Sequence, residues 1–595
     1  MGDNCLFFGA IDFGTSFTGY ALASRKDLTE ENVKFITSNW SSPFGSVTEY
    51  QTTSAVLFDP HGDFKACGFK AEEWYAGLAL EEEELSKIED AEEREHRDHN
   101  NWFFFRHFKM MLYDQLTMDR NHELTDDKGK TMPAIKVFSA LIEYMKDDLL
   151  ERCTKQYEDF REEDLMWTIT VPAIWTDSAK QFMREASERA GIASDRLRIA
   201  LEPECGAFYC RSLSSLRSEM KMLKTGSKYM VLDCGGGTID IAVHEVLQGN
   251  KVKELYKSNG GQGGGTEVDK AFWKLLSSLV GREVVETFCD KNKYDQMSLI
   301  QNFEIKKKTI NNEESNMQVT FRIPESLLRT FENVTGKTVD HEKVEESLTM
   351  DNYLIGKVKW RYDKLRVHKE VAVSLFDSSR KHIKKILMEQ FRIPAVKSVD
   401  HIIMIGGFSE APLIQEAVKA CRPTAKIIVP KDASLAVVKG AVMFGYNPFV
   451  VHSRISRYTY GKKVLLKFDS KLDPPAYLTY DREGNRFCDN RFSVFLKEGD
   501  EIILNESEIV TTSTALFQDQ EKMAIAIYVS KLGVPLYTTK CTKVGYIEFN
   551  VPKVSTKTNR KFRTIMRFGD TESRVRVLDM TSGKEVSSAR FNFLG

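Results

Sequence analysis

Apolar and polar positions follow different patterns in successive parts of this chain. Near the N-terminus, LFFGAIDFGTSFTGYALA is typical of two β-strands joined by a Gly-Thr-Ser turn. Apolar side chains recur every three or four positions within residues 137–160, which predicts an amphipathic helix. The strand MWTITVPAIW and a helix that starts at Asp177 or Ser178 and stops at Gly191 come next. This order of strands and helices predicts α/β layers.

The alternation of strands and helices continues to about residue 447 and then stops. The strand YMVLDC enters a second Gly-rich turn, and a long helical stretch is predicted for 364–391. A helix at about 411–421 follows the strand VDHIIMIGGF. After Pro448, short alternating runs such as KVLLKF and YIEFNV are separated by turn residues. We therefore predict a separate all-β domain for residues 448–595.

Composition narrows the function classes. The 595 residues are 42% hydrophobic and 29% charged, which predicts several domains with cores of their own. The formal net charge of −2 disfavours general binding to nucleic acid or membrane surfaces, which need a basic excess. The sequence has no apolar run long enough to span a membrane and no secretory signal, and its ten cysteines include no CxxC pair. We therefore expect a cytoplasmic protein.

Two glycine-rich turns carry the candidate chemistry. In each, an apolar strand ends in an aspartate, Asp12 or Asp233, and glycine and hydroxyl residues and a second β run follow. The glycines let backbone N–H groups approach a ligand closely, and together with the hydroxyls they can hold phosphate oxygens. The aspartates place carboxylates where hydrated Mg²⁺ would bridge to the phosphates. Such a pair suggests a duplicated fold that grips one nucleotide from both sides.

Other phosphate-binding motifs are incomplete. The GKT at 336–338 has Phe331 where a P-loop needs its first glycine. The GGQGGG at 260–265 does not complete GxGxxG, because Thr266 occupies the last position. Protein-kinase signatures are absent from the sequence.

With both turns in place, the chain resembles the superfamily of actin, hexokinase and the heat shock 70 kDa chaperones, and further motifs resemble the chaperones. TVPAIWTDSAKQFMREASERAGI is similar to their connecting region, and residues 200–203 resemble the segment that supplies a catalytic glutamate. Residues 261–269 resemble a Gly-rich turn before a helix, 304–308 the helix that clamps adenosine, and 404–407 the Gly-Gly adenosine turn. With no helical lid after the β-region, the chain is most similar to the 12A/12B branch.

The resemblance implies a two-lobed actin-like ATPase domain, made of duplicated mixed-sheet α/β subdomains, followed by an all-β sandwich-like domain. The first lobe would span 1–225, with an acidic helical insertion at about 81–98, and the second 226–447. The third unit, 448–595, would bind a protein or peptide client. The implied cofactors are ATP or ADP and Mg²⁺.

The resemblance also implies roles for individual residues. Asp12 and Asp233 would hold the hydrated Mg²⁺. Glu202 would position the attacking water, Asp240 would orient metal waters, and Lys70 would contact the γ-phosphate. The residues expected to hold the nucleotide are Gly14, Thr15, Ser16, Gly235, Gly236, Gly237, Thr238, Gly264, Gly265, Glu304, Lys307, Lys308, Gly406, Gly407 and Phe408.

Departures from the family pattern bear on hydrolysis. Phe408 and Glu410 stand where the family has a small hydroxyl residue and an arginine around adenine, and Lys70 lies two places early for the catalytic lysine. We therefore expect a nucleotide-gated, chaperone-like stress-response protein in which nucleotide binding outranks fast hydrolysis. A non-enzymatic nucleotide-dependent scaffold and a sugar-type kinase are the alternatives. The kinase would need a catalytic aspartate in a sugar cleft and has no use for the β-rich domain.

Overall fold

The computed structural model describes most of the chain, in the ranges 5–30, 33–44, 48–80, 85, 87–113, 115–213, 224–312, 318–348, 351–480, 484–504, 506–515, 520–552, 560–568, 572–586 and 589–594. Strands and helices alternate up to residue 446, and the part after it is rich in strands, so the predicted mixed α/β class is confirmed. The predicted acidic insertion at 81–98 is described only in part. Residues 81–84 and 86 lie outside these ranges, whereas Ala91–Arg97 is helical.

Two large sheets share one topology. In each, an antiparallel pair of strands is flanked on one side by two further strands that run parallel to the first of the pair. The first sheet consists of Leu197–Leu201, Leu165–Val171, Phe7–Phe13, Phe17–Ser24 and Ile36–Thr37, with Thr52–Thr53 also paired to Phe17–Ser24. The second consists of Lys426–Ile428, His401–Ile405, Lys228–Cys234, Thr238–Val246, Val252–Gln262, Val451–Ile455 and Glu501–Ile503. The two glycine turns therefore occupy equivalent positions, each at the bend of its own hairpin.

Helices cover the sheets with their apolar faces. The amphipathic pattern predicted at 137–160 forms the helix Ala134–Gln156, whose buried side chains include Phe138 and Leu141. The following helix begins as predicted at Asp177, because the Thr176 side chain accepts a hydrogen bond from the Ala179 N–H and caps it. The remaining helices are Arg25–Thr29, Gly68–Leu80, Gly265–Val280, Arg282–Lys291, Lys293–Lys307, Glu325–Thr335, Lys369–Ser374, Asp377–Gln390 and Pro412–Cys421, besides the pair described next. No helix in the described part of the chain is long and apolar enough to cross a membrane.

Two crossing helices, Glu202–Ser212 and Ala436–Tyr446, join the two sheets. The first packs on the second sheet and the second on the first sheet, and buried side chains of both share one apolar core. A Cβ atom on Gly440 would overlap the carbonyl oxygen of Cys205, so only glycine allows this crossing. The helix that begins at Glu202 is thereby held between the two glycine turns.

The helical stretch predicted for 364–391 is wrong in its first part. Lys364–His368 is a strand, and the helices Lys369–Ser374 and Asp377–Gln390 follow it. The sequence KLRVH alternates polar and apolar residues, and this short period of two was hidden by the helical pattern that follows. The strand pairs with Gln318–Arg322 on one side and with Val358–Arg361 on the other.

The C-terminal part builds two more sheets and also extends the second one. Its strands are Leu478–Tyr480, Arg486–Leu496, Thr459–Lys467, Lys522–Ser530, Thr542–Asn550 and Arg590–Asn592 in one sheet, and Ile509–Thr514, Lys561–Arg567 and Arg574–Asp579 in the other. Smaller pairings elsewhere join Phe64–Cys67, Ala55–Phe58 and Phe103–Arg106, Trp40–Ser41 with Thr48–Glu49, and Glu123–Thr125 with Thr131–Pro133. Val451–Ile455 and Glu501–Ile503 lie after residue 448 but complete the second sheet. The domain boundary predicted at residue 448 stays a prediction.

Candidate functional site

The two glycine turns lie face to face. A Cβ atom on Gly236 would collide with the Ser16 hydroxyl, and one on Gly237 would lie 2.9 Å from Thr15 Oγ1. Glycine is therefore required at both positions for the turns to approach each other. The structure brings together the hydroxyl residues of the first turn and the glycines of the second, as the sequence predicted for two halves of one cradle.

A third glycine turn supports the second one from behind. The Gly265 N–H donates to the Gly235 carbonyl oxygen at 3.1 Å, and the Thr266 N–H donates to the Gly236 carbonyl oxygen at 2.8 Å. A Cβ on Gly264 would lie 2.5 Å from the same two carbonyl oxygens. The N-terminus of the helix Gly265–Val280 thus fixes the shape of the second turn.

Four carboxylates converge beside the turns. Asp12 and Asp233 each lie one residue before the end of a central strand, and Asp240 stands directly across the hairpin from Asp233. Glu202 is the first residue of the crossing helix that follows the strand Leu197–Leu201. All four side chains are buried, and Asp240 is only 1% exposed. Strands of both sheets and the crossing helix therefore bring these four acids together.

Burial and mutual repulsion raise the pKa values of this carboxylate cluster. The pKa of Asp233 lies well above its usual range because of burial and the nearby charges of Glu202, Asp240 and Asp12. Burial raises the pKa of Glu202 to about 7, although Lys109 opposes the shift. Burial likewise raises the pKa of Asp240 to about 6. Protons on these acids, or a cation beside them, offset the repulsion between the buried carboxylates.

Lys109, which the sequence did not single out, is the buried cation of the cluster. Its Nζ lies 2.7 Å from Glu202 Oε1 and 5.3 Å from the centre of the Trp175 ring, and the side chain is 6% exposed. It belongs to a short 3₁₀ turn, Phe108–Leu112, entered through His107 in a left-handed conformation with φ 53°. The signal that could have revealed it is a lone lysine inside the apolar run HFKMML.

The role of Lys70 as the phosphate cation stays a prediction, but Lys70 is not the cation found beside the carboxylates. Lys70 is an exposed side chain in the first turn of the helix Gly68–Leu80. A cation of the buried carboxylate cluster must itself be buried, and Lys109 meets that condition. Lys70 is the nearest match to the family's catalytic lysine, two places early, whereas the lysine at the carboxylates belongs to the turn Phe108–Leu112.

The carboxylate cluster fits a hydrated divalent ion. Asp12 Oδ1 accepts a hydrogen bond from Thr170 at 2.7 Å, and Asp240 Oδ2 accepts one from Thr238 at 2.9 Å. Asp240 Oδ1 is buried and has no hydrogen-bond partner in the described part of the chain. The described residues contain no group of three or more acids, histidines or cysteines spaced to ligate a metal directly. Mg²⁺ keeps several of its waters, so acids that reach it through water suit it.

Ion pairs organise the other end of the cleft, where adenosine is expected. Lys307, 4% exposed, pairs with Asp269 at 2.8 Å and with Glu304. Burial and the nearby Glu304 raise the pKa of Asp269 to about 7. Lys308 pairs with Glu410 at 3.1 Å. Glu410 therefore gives Lys308 a partner where the family pattern has an arginine.

Phe408 forms a wall of this end of the cleft. It is buried, stacks on Phe376 at a ring separation of 6.2 Å, and lies 3.6 Å from where a Cβ on Gly265 would be. The preceding Gly406 has φ 83°, and a Cβ there would lie 2.5 Å from Asp233 Oδ1. The Gly-Gly turn thus connects the wall beside Phe408 to the carboxylate cluster.

A sequence model of the Hsp70 protein family matches residues 97–446. Heat shock 70 kDa protein 12A of Mus musculus is 31% identical over 97% of this chain and 90% of its own length. The chain belongs to the Hsp70 family. The human 12A protein is 30% identical over the same shares, and human 12B is 29% identical over 98% of this chain and 90% of its own length. The chain therefore falls in the 12A/12B-like branch of Hsp70, as the motifs predicted.

Hsp70 membership confirms the actin-like fold class and supports a nucleotide-binding protein. The two central sheets with their facing turns correspond to the duplicated α/β subdomains predicted from the sequence. The roles of the individual residues stay predictions. The phosphate turns lie beside the carboxylates Asp12, Glu202, Asp233 and Asp240. Glu304, Lys307 and Phe408 lie together around Gly265.

Proposed function

We propose that this Hsp70-family chain binds ADP and ATP with Mg²⁺ between its two lobes and hydrolyses ATP slowly. The observation that carries the proposal is the buried cluster of four carboxylates around one lysine, placed beside two facing glycine turns. A divalent cation bound beside these acids would offset their charge and oppose the rise of their pKa values. Facing turns of glycine and hydroxyl residues suit a chain of phosphates.

The chain's own residues would share the phosphate chemistry as follows. Thr15 and Ser16 from one turn and residues 235–238 from the other bind the β- and γ-phosphates. Asp12 and Asp233 would hold hydrated Mg²⁺, which would supply charge neutralisation at the phosphates. Glu202 and Asp240 orient water, which is most of what phosphoryl transfer asks of a protein.

Slow hydrolysis follows from the ion pair between Lys109 and Glu202. Lys109 is the buried cation of the carboxylate cluster, but its Nζ is already 2.7 Å from Glu202, the acid that would orient the attacking water. Lys109 must therefore leave Glu202 before either group can act on ATP, and this step slows turnover. The same pair favours the second candidate, a non-enzymatic scaffold that binds nucleotide without turnover.

The adenosine would lie against the wall formed by Phe408 and Gly265, between the ion pairs of Lys307 and Lys308. The ion pair of Lys307 with Asp269 and Glu304 orders this wall without any ligand. We propose that Gly406 and Gly407 turn the backbone around the nucleoside, because Gly406 adopts a positive φ that favours glycine.

Nucleotide gating of the C-terminal part is also proposed, since one buried ion pair joins it to the catalytic helix. Arg454 forks onto Glu204 with bonds of 2.8 and 2.6 Å, and Glu204 is two residues beyond Glu202. Arg457, from the same segment, donates to the Ile174 carbonyl oxygen, and its charge opposes the rise of the pKa of Asp240 that burial causes. Movement at the phosphates would therefore reach residues 451–460 directly.

The chaperone-like part of the proposal assigns a protein or peptide client to the β-domain. Exposed aliphatic side chains there, among them Leu465, Leu532 and Val534, offer apolar contact area. A cytoplasmic setting and a stress-response role belong to the same proposal. All ten cysteines are free thiols, which supports a reducing compartment.

Isothermal titration with Mg-ADP and Mg-ATP tests the proposal, using wild-type protein, Asp233→Asn and the exposed-site control Asp195→Asn. We expect binding to wild type and to the control, and a loss of about 1.5–3 kcal/mol of binding free energy in Asp233→Asn. Apo Asp233→Asn should melt no lower than wild type, because it removes a repelling buried charge. No binding of either nucleotide to the wild-type protein would refute the proposal.

A further inference from the structure

A small three-stranded sheet in the second lobe carries an unusual outer face. Its strands are Gln318–Arg322, Lys364–His368 and Val358–Arg361, with Lys364–His368 in the centre. Alternate side chains point to opposite faces of a strand. The inner face is buried and apolar and consists of Val319, Phe321, Val358, Trp360, Leu365 and Val367.

Cations occupy nearly every exposed position of the outer face, which we call the basic sheet face. Its exposed cations are Arg322, Lys359, Arg361, Lys364 and Arg366. The strand register places Lys359 directly opposite Arg366 and Arg361 directly opposite Lys364. Arg322 stands opposite Lys364 on the other side. Two neighbouring cross-strand rows of side chains on this face are therefore positively charged.

Four of the five cations of the basic sheet face make no ion pair in the described part of the chain. In the described part of the chain, no ion pair involves Lys359, Arg361, Lys364 or Arg366. Arg322 has one carboxylate at 4.0 Å, that of Asp363 in the hairpin turn. Like charges directly opposite on a sheet are destabilising. Folding alone therefore gives no reason for this arrangement, whereas binding of an anionic partner does.

We propose that the basic sheet face binds an acidic polypeptide segment in an extended conformation. Residues two apart on a strand are about 6.6–6.8 Å apart, and this repeat is shared by alternate side chains of an extended peptide. Acids at every second position of a segment that lies along the central strand would therefore meet Lys364 and Arg366 in turn. Because the face is positively charged, we expect its partner to be acidic. The pleated strands of the face match the repeat of an extended chain.

Two other polyanions fit the basic sheet face less well. Single-stranded nucleic acid needs aromatic rings on which bases stack. The non-cationic outward positions here are Gln318, Thr320 and His368, and the hydroxyl of the nearby Tyr362 donates to Glu342. Membrane binding needs apolar side chains that insert beside the charges. Tyr353, the nearest exposed ring at the other end, is covered by Lys357 Nζ at 4.1 Å.

Fluorescence anisotropy with the full chain tests this proposal. The probe is a labelled peptide with Glu at every second position and Ser between, and its comparison is a peptide of equal composition with the Glu residues in one block. We expect the alternating peptide to bind more tightly than the block peptide and to weaken as salt is raised. The quadruple variant Lys359→Gln, Arg361→Gln, Lys364→Gln, Arg366→Gln should lose at least about tenfold in affinity.

A matched control removes the same charge elsewhere, by Lys381→Gln, Lys384→Gln, Lys385→Gln and Lys397→Gln, all at exposed positions. We expect the control to bind the alternating peptide as wild type does. The quadruple sheet variant should melt no lower than wild type, since it removes cross-strand repulsion. Equal losses in both variants, equal binding of both peptides, or binding only to anionic vesicles or oligonucleotides would overturn the proposal. The nucleotide-binding proposal has its own test by titration, so none of these outcomes bears on it.

Discussion

The two ends of the cleft hold their charges in opposite ways. At the phosphate end, four buried carboxylates share one lysine, and the pKa of Asp233 is raised well above its usual range as a result. At the adenosine end, Lys307 and Lys308 already have partners in Asp269, Glu304 and Glu410. The chain thus completes the adenosine end by itself, whereas the phosphate end retains negative charge for a metal ion to neutralise.

Removal of Lys109 should break this contrast most severely. In Lys109→Met the four acids lose the buried lysine that pairs with Glu202, so we expect the free energy of unfolding to fall by about 3–5 kcal/mol. ATP turnover should fall by about 10²–10³-fold, the usual effect of losing one charge contact at the reacting phosphates. Chemical denaturation and single-turnover hydrolysis measure the two effects.

Lys70→Met is the matched control for Lys109→Met, because Lys70 is exposed and was the lysine favoured by the sequence. We expect it to change the free energy of unfolding by no more than about 0.5 kcal/mol. If Lys70→Met abolished turnover and Lys109→Met did not, the reassignment of the cation would be wrong.

Gly236→Ala should damage the phosphate end without touching its charges. The new Cβ would collide with the Ser16 hydroxyl, and such overpacking costs about 1–3 kcal/mol. Nucleotide affinity should fall because the turns are forced apart. Gly77→Ala, where a Cβ meets nothing within 4 Å, is the control and should bind Mg-ADP normally in the same titration.

The pH dependence of apo stability sharpens the contrast further. Burial raises the pKa of Glu202 from 4.5 to about 7, so the folded protein holds a proton that the unfolded chain has released. Stability should therefore fall as pH rises through this window and level off above it. Glu202→Gln has no such proton, and its melting temperature should depend less on pH between 4.5 and 7. Identical slopes for both proteins would contradict the assignment.

The smallest effect is expected at the adenosine end. Glu410→Gln breaks a partly exposed ion pair with Lys308, which is worth at most about 1 kcal/mol. Thermal unfolding should therefore change little, while the affinity for adenosine reports whether this ion pair borders the nucleoside. A drop in stability as large as that of Lys109→Met would mean that the two ends do not differ as described.

Local sequence sufficed for the features that one strand and its turn contain. Asp12 and Asp233 could be located because a strand, an acid and a glycine turn follow each other directly along the chain. The fold class followed from the same alternation of elements. The pairing of the two turns was inferred from their similarity, and the contact of Gly236 with Ser16 shows them facing each other.

Features that depend on distant parts of the chain could not be predicted. Lys109 lies beside Glu202 across 93 residues, and no spacing rule links the two. The strand Lys364–His368 was assigned to a helix because its five residues precede a helical pattern. The strands Val451–Ile455 and Glu501–Ile503 lie in the segment predicted as a separate β-domain, although they extend the second sheet.

Titration of ADP with and without Mg²⁺ tests the central claim most directly. If the buried acids at the phosphate end require a cation, ADP should bind at least about tenfold more tightly with Mg²⁺ than in EDTA. Adenosine, which lacks phosphates, should bind equally with and without the ion. Equal affinity of ADP in Mg²⁺ and in EDTA would contradict the account.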